Sequence, residues 1–280
     1  MMNILFCGDA NIKDGVVIST LSMLRHTSCA LHIYILTAGI EEGGVHCTAL
    51  EADFGTQLQT LMQRYDPAHR VTQIDISRDF ARDLPWANLA TRFTPGCMLR
   101  LYADRVAQLP DKILYLDNDV ICCDDFSNFY NMDIEDAELC GVLDHYGKWF
   151  FRRSLFAMDY INSGVLLLNL KQIRRTKLFA RCIRMCAEKK MFLPDQSAIN
   201  RLCSAKRIAP RRYNEQYKHK KDTVFRHFST TFRFIPLVHT VTVKPWQIDQ
   251  VHHVLGTYAY DAVLHQYDRL KKEHALCLNP

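Results

Sequence analysis

An apolar run at Ile113–Ile121, ILYLDNDVI, contains two carboxylates two residues apart. On extended backbone alternate side chains share a side. Asp117 and Asp119 would then stand about 6–7 Å apart at Cα and project together, with Asn118 turned the other way. Two carboxylates so placed can clamp one divalent cation and leave its other positions to diphosphate oxygens. The same triplet also suits a plain polar turn, since Asp and Asn favour turns. Its place directly after an apolar strand favours the ligand reading. In open α/β sheets ligands bind outside the carboxyl ends of the strands.

The elements that must position these carboxylates alternate along the first half of the chain. Asn3–Cys7, Leu31–Leu36, Val71–Ile76 and Ile113–Leu116 read as strands. Val16–Arg25, Cys47–Tyr65 and Leu99–Gln108 read as helices. This rhythm predicts an α/β fold with a mostly parallel sheet flanked by helices. Leu139–Leu143 and Tyr160–Leu170 are further strands, and Asn162-Ser163-Gly164 inside the second is a candidate bulge. Leu178–Lys190 is amphipathic and helical. A helix from Pro194 to Leu202 has Pro and Asp195 in its first turn, where both residue types suit it. Arg207–Phe234 is basic, aromatic and irregular in pattern. Leu237–Val243 is a last strand, and Gly256–Pro280 holds a helix. With no repeat and no low-complexity linker, the expectation is one domain over residues 1–246 and a partly helical tail over 247–280.

The bulk properties exclude more than they select. The chain has 280 residues, 48% hydrophobic and 23% charged, which suits a globular protein with a sizeable core. A net charge of +5 permits anionic ligands without choosing one. No nucleic-acid-binding motif is visible, so no nucleic-acid partner is expected. Eleven scattered cysteines without a CxxC pair read as reduced, buried thiols rather than a zinc site. The N-terminus lacks a signal-peptide pattern, and no apolar run is long enough to span a bilayer. A cytoplasmic location is the expectation.

Four segments in order, YLDNDV, YINSGVLLLNL (Tyr160–Leu170), LPDQSAIN (Leu193–Asn200) and VHTVTVKPW (Val238–Trp246), resemble glycosyltransferase family 8. That family includes bacterial lipopolysaccharide and lipooligosaccharide galactosyl- and glucosyltransferases and glycogenin. The resemblance runs from Asn3 to about Trp246. It implies a GT-A type nucleotide-sugar-binding fold and retaining transfer of galactose or glucose from a UDP-sugar to a glycan or glycolipid acceptor, such as lipopolysaccharide. Asp117 and Asp119 match its metal-binding pair and His239 its third protein ligand. Mn²⁺ suits that donor set, and Mg²⁺ also fits. Lys244 matches a diphosphate contact, and Asp9 and Asn11 match positions at the base and ribose. Asn118 falls among the nucleotide-sugar contacts. Arg100 and Asp144 match donor-sugar positions. Asn162, Gly164, Asp195 and Gln196 match the pocket around the reacting carbon, with Gln196 and Asp195 as the catalytic pair.

Three departures bear on activity. Ile12 stands where the family often stacks an aromatic ring on uracil. The closing motif, His239 to Lys244, is one residue short and lacks a glycine. Ser197 replaces a frequent second acid after Gln196. They keep a second reading open, a nucleotide-sugar-binding protein without efficient transfer. A hydrolase using the D-x-D lacks the loop that such chemistry needs. The basic stretch Arg207–Phe234 and the tail Tyr267–Lys272 are candidates for peripheral membrane contact. Acceptor and oligomeric state are not legible.

Overall fold

A computed structural model describes residues 1–89, 95–146, 159–233 and 239–273. The strands are β1 (Met2–Gly8), β2 (Leu31–Thr37), β3 (Ile40–Glu42), β4 (Val45–Cys47), β5 (Arg70–Asp75), β6 (Lys112–Leu116), β7 (Val120–Cys122), β8 (Leu139–Leu143), β9 (Ile161–Asn169), β10 (Lys206–Ile208), β11 (Phe225–His227), β12 (Thr231–Arg233) and β13 (His239–Val241). Seven of them form one sheet in the order β10-β8-β9-β6-β1-β2-β5. β1 runs parallel to β2 and β6, β2 to β5, and β8 to β10. Only β9 runs against its neighbours β6 and β8. The carboxyl ends of β1, β6 and β8 and the start of β9 therefore share one edge of the sheet. The residues that follow those strands are Asp9, Asp117 and Asp144.

Alternation along each strand divides the core into two layers. Ile4, Phe6, Leu114, Leu116, Val165 and Leu167 face one layer, together with helix Lys13–His26. Leu5, Tyr34, Leu36, Tyr115, Leu166 and Leu168 face the other, against helices Leu178–Glu188 and Pro194–Leu202. Helix Lys13–His26 is buried along nearly its whole length. It lies between the sheet and helix Asp261–Lys272, whose Tyr267 hydroxyl donates to buried Asp14 at 2.8 Å. Val251, Val263, Leu264 and Leu270 belong to the same core layer as β1, so no break in packing marks position 246. No helix among the described residues is long and apolar enough to cross a membrane.

The pattern misplaced several elements. The helix expected from Cys47 begins only at Phe54. Residues 48–53 are instead tied to the loops beyond β1 and β2: Ala10 N–H donates to the Thr48 carbonyl, and Leu50 N–H to the Thr37 hydroxyl, both at 2.8 Å. The helix expected at Leu99–Gln108 is a 3₁₀ segment that begins and ends earlier, Pro95–Arg105. There the Arg100 side chain donates to the Cys97 carbonyl at 2.9 Å. The supposedly irregular stretch 207–234 contains β11 and β12. The end of the expected strand at Leu237 lies outside the described residues.

Candidate active site

The Asp117-Asn118-Asp119 segment is a turn between β6 and β7, closed by Val120 N–H donating to the Asp117 carbonyl at 3.3 Å. The turn and ligand readings of this triplet are thus compatible. Its carboxylates converge through the turn rather than by strand alternation. Asp117 N–H is anchored on the Gly164 carbonyl at 2.8 Å, which fixes the turn to the start of β9. On its other side, Gly15 admits the Asn118 backbone: a Cβ at Gly15 would lie 2.1 Å from the Asn118 carbonyl oxygen and 2.9 Å from the Trp246 ring.

The third member of the group is His227. β11 pairs antiparallel with β7 and sets His227 opposite Val120, one residue beyond Asp119. His227 Nε2 lies 3.2 Å from Asp119 Oδ1 and 3.6 Å from Asp117 Oδ2. One ligand atom from each of the three residues falls within 4.8 Å of the others. Two hard carboxylate oxygens and an imidazole nitrogen are a fitting donor set for Mn²⁺ or Mg²⁺. His239, the ligand expected from the sequence, has its backbone in β13, paired with Arg233. Its side chain lies outside the described residues. The signal for His227 was the apolar, strand-like run Val224–Phe228 around it, hidden within a basic stretch.

Opposing charges fill this pocket. Lys244 Nζ contacts Asp119 Oδ2. Burial alone would raise the Asp119 carboxyl, but Lys244 and His227 outweigh it and hold the group far below the usual carboxylate range. Burial would likewise lower Lys244, and the Asp119 carboxylate instead raises it. Asp117 Oδ1 accepts from the Tyr115 hydroxyl at 2.5 Å and from Arg100 Nη2 at 2.9 Å, leaving Oδ2 to face His227. Arg100 is 3% exposed. It also bonds the Ser163 carbonyl at 2.5 Å, reaches Asp195 at 3.3 Å and stacks over the Tyr115 ring at 4.3 Å. Its donors are spent on holding the carboxylates in place.

The remaining predicted residues form a connected polar network beside this group. Gln196 donates to Asp144 Oδ2 at 3.1 Å and accepts from Ser163 N–H at 3.0 Å. Asn162 donates to the same Asp144 oxygen at 3.0 Å and accepts from Gly164 N–H and from Asn214, each at 3.0 Å. Burial raises the Asp195 carboxyl above its ordinary range, while Arg100 pulls the other way. The β8–β9 register jumps between Gly141 and Val142, so residues 163–165 of β9 have no partner on β8. The candidate bulge is real, and it frees this stretch to pack against His227 and Asp117. Gly164 is needed for space: a Cβ there would lie 2.2 Å from His227 Cε1 and 2.8 Å from Asp117 Oδ2.

Asp9 sits apart, after β1. It caps the short turn Ala10–Ile12 by accepting from Asn11 N–H at 3.0 Å, and from the Asn11 amide at 3.2 Å. Gly96 packs over it, its ideal Cβ 3.3 Å from the Asp9 nitrogen. The ten described cysteines are all free, and burial drives most of their thiols up, Cys123 and Cys203 to about 12. None of the ten joins the Asp117–Asp119–His227 group.

A mixed, mostly parallel sheet with a D-x-D turn at its carboxyl edge and a connected polar network beside it is the arrangement of the GT-A fold of glycosyltransferases. The family model for glycosyl transferase family 8 matches residues 3–250, and the chain belongs to that family. It is 28% identical over 260 residues to a lipopolysaccharide 1,2-glucosyltransferase of Escherichia coli, covering 88% of this chain and 72% of the relative. It is 27% identical over 255 residues to the Escherichia coli lipopolysaccharide glucosyltransferase WaaO, covering 81% and 70%. Among solved structures it resembles an active-site mutant of LgtC, with TM-score 0.68 at 20% identity over 100% of this chain and 98% of that one. The galactosyltransferase LgtC in complex with donor and acceptor sugar analogues aligns with TM-score 0.64 at 19% identity, with the same coverage.

Proposed function

We propose that the protein is a retaining, divalent-metal-dependent hexosyltransferase that moves galactose or glucose from a UDP-sugar to a glycan acceptor, with lipopolysaccharide as the favoured class. The convergence of Asp117, Asp119 and His227 with Lys244 beside the Asp144–Gln196–Asp195 network carries the proposal. Lipopolysaccharide is favoured because the Escherichia coli relatives are named for it.

The chemical problem is a diphosphate whose negative charge grows as the anomeric bond breaks. Asp117, Asp119 and His227 would hold a divalent cation, which supplies Lewis-acid charge to that leaving group. Lys244 adds a fixed positive charge at the same place. Arg100 and Tyr115 orient Asp117, so the residues that bind the cation need little reorganisation. Asp9 and Asn11 lie beyond β1 on the same edge and would meet the nucleoside. Asp144, Asn162 and Gln196 offer polar groups to the sugar hydroxyls.

Every carboxylate of the sugar pocket is engaged. Asp195 is held by Arg100 and Ser163, and Asp144 by the amides of Asn162 and Gln196. None is presented as an unencumbered nucleophile. This favours attack by the acceptor on the face that the diphosphate leaves, with Gln196 and Asp195 supporting the positive charge on the sugar.

A panel of UDP-sugars with and without Mn²⁺ tests the reading through hydrolysis and transfer to truncated glycans. Asp119→Ala is expected to abolish metal-stimulated turnover while circular dichroism stays that of the parent. Full activity in that variant, or in excess chelator, overturns the metal mechanism.

A further inference from the structure

Between Lys171 and Lys190 the chain carries eight Lys and Arg and a single acid, Glu188, a local +7 in a protein whose net charge is +5. Helix Leu178–Glu188 turns Leu178, Phe179, Cys182, Ile183 and Cys186 into the core. Its exposed stripe is Arg181, Arg184 and Glu188, preceded one turn earlier by exposed Lys177 and followed by exposed Lys189 and Lys190. Ion pairing neutralises little of this. Arg174 bonds Asp111, and Arg181 reaches Glu138 only at 3.9 Å. Among the described residues Lys177, Arg184, Lys189 and Lys190 form no ion pair. Complementing the helix dipole explains cations at 189 and 190, but not those at 177, 181 and 184.

Exposed aromatic side chains border the same end of this helix. Asn88 fastens the turn Trp86–Asn88 there: its amide donates to the carbonyls of Cys186 at 2.6 Å and Lys189 at 2.7 Å, and accepts from Met191 N–H at 2.8 Å. Trp86 is 58% exposed and Phe192 68% exposed. The nearby acids Asp79 and Asp83 are covered by Arg82 and Arg105. An amphipathic indole and an apolar phenyl ring beside lysines are the composition of a surface that meets lipid headgroups.

We propose that this face docks on an anionic lipid bilayer. Lys177, Arg184, Lys189 and Lys190 meet the headgroups, and Trp86 and Phe192 enter the boundary with the acyl chains. The segment continues within two residues of Phe192 into Pro194, and thence to Asp195 and Gln196. Docking therefore brings the sugar pocket to the membrane plane. That consequence rests on the proposed transferase function, whereas the docking itself does not.

Co-sedimentation with vesicles tests it. Binding is expected to vesicles containing about one-third phosphatidylglycerol at about 0.1 M salt, with little binding to phosphatidylcholine alone and release as salt screens the charges. The triple variant Arg184→Gln, Lys189→Gln, Lys190→Gln is expected to bind at least about tenfold more weakly. Trp86→Ala with Phe192→Ala weakens binding without changing its salt dependence. Mn²⁺-dependent UDP-sugar hydrolysis stays at the parent rate in both, and its absence from the parent itself would count against the function rather than the docking. Equal vesicle binding by the triple variant and the parent overturns the proposal. So does parent binding to a soluble phosphorylated oligosaccharide but not to vesicles, which would assign the face to an anionic glycan.

Discussion

Replacing Gly164 with alanine tests how tightly the proposed cation-binding group is built. The new Cβ would lie 2.2 Å from His227 Cε1, 2.6 Å from its Nδ1 and 2.8 Å from Asp117 Oδ2. Restoring an ordinary contact of about 3.4 Å requires the imidazole to retreat by about 1 Å. His227 is buried between β7 and the pocket, and its backbone is held by ladder pairing with Val120, so the retreat must come from its side chain. A displacement of that size within a group spanning 4.8 Å breaks the shared coordination sphere. We expect Mn²⁺ affinity to fall by at least tenfold, turnover by about 100-fold, and stability by about 1–3 kcal/mol. Gly141→Ala is the control. Its Cβ would meet Leu166 and Ile161 side chains at 2.9 and 3.1 Å, so it strains the sheet without touching the ligands. Calorimetric Mn²⁺ titration with UDP present, alongside thermal melts, separates the two effects. Parent-like Mn²⁺ affinity in Gly164→Ala would refute the packing argument.

Two other perturbations separate positioning from stability. Tyr115→Phe removes one of the two donors on Asp117 Oδ1. Its expected effect is a roughly tenfold loss of Mn²⁺ affinity in a variant that melts near the parent temperature; unchanged affinity would leave Tyr115 with no positioning role. Asp104 has a buried carboxylate oxygen without a hydrogen-bond partner, and burial raises its pKa to about 6. Because the folded value lies above the unfolded one, the charged form costs stability above pH 6, and that cost fades as pH falls towards 4. Asp104→Asn is therefore expected to gain about 2 kcal/mol at pH 8 and to lose the advantage near pH 4 in denaturant titrations; an equal gain at both values would contradict the assignment.

The legible part of this molecule was local. The apolar runs before Asp117 and Asp144 and the Pro194 start of a helix are short-range patterns, and strand alternation carries them directly into the sheet. Asp144, Asn162, Asp195 and Gln196 lie in one hydrogen-bonded network. What stayed hidden depends on tertiary pairing. His227 reaches the aspartates only because β11 pairs with β7, and nothing within Arg207–Phe234 reports that partner. The partners of Arg100 were hidden for a similar reason. The family likeness puts it near the donor sugar, and burial commits its donors to Asp117, Asp195, Ser163 and Cys97. The Lys171–Lys190 charge is visible in the sequence, but its exposure along one stripe and its junction with Trp86 are not.

The central claim is that Asp117, Asp119 and His227 share one divalent cation. Anomalous diffraction from crystals grown with Mn²⁺ and UDP measures it directly. The account predicts a manganese peak within about 2.5 Å of a carboxylate oxygen from each aspartate and of His227 Nε2, lost in His227→Ala crystals. A peak bound through a different histidine, or no peak near the two aspartates at saturating Mn²⁺, would contradict it.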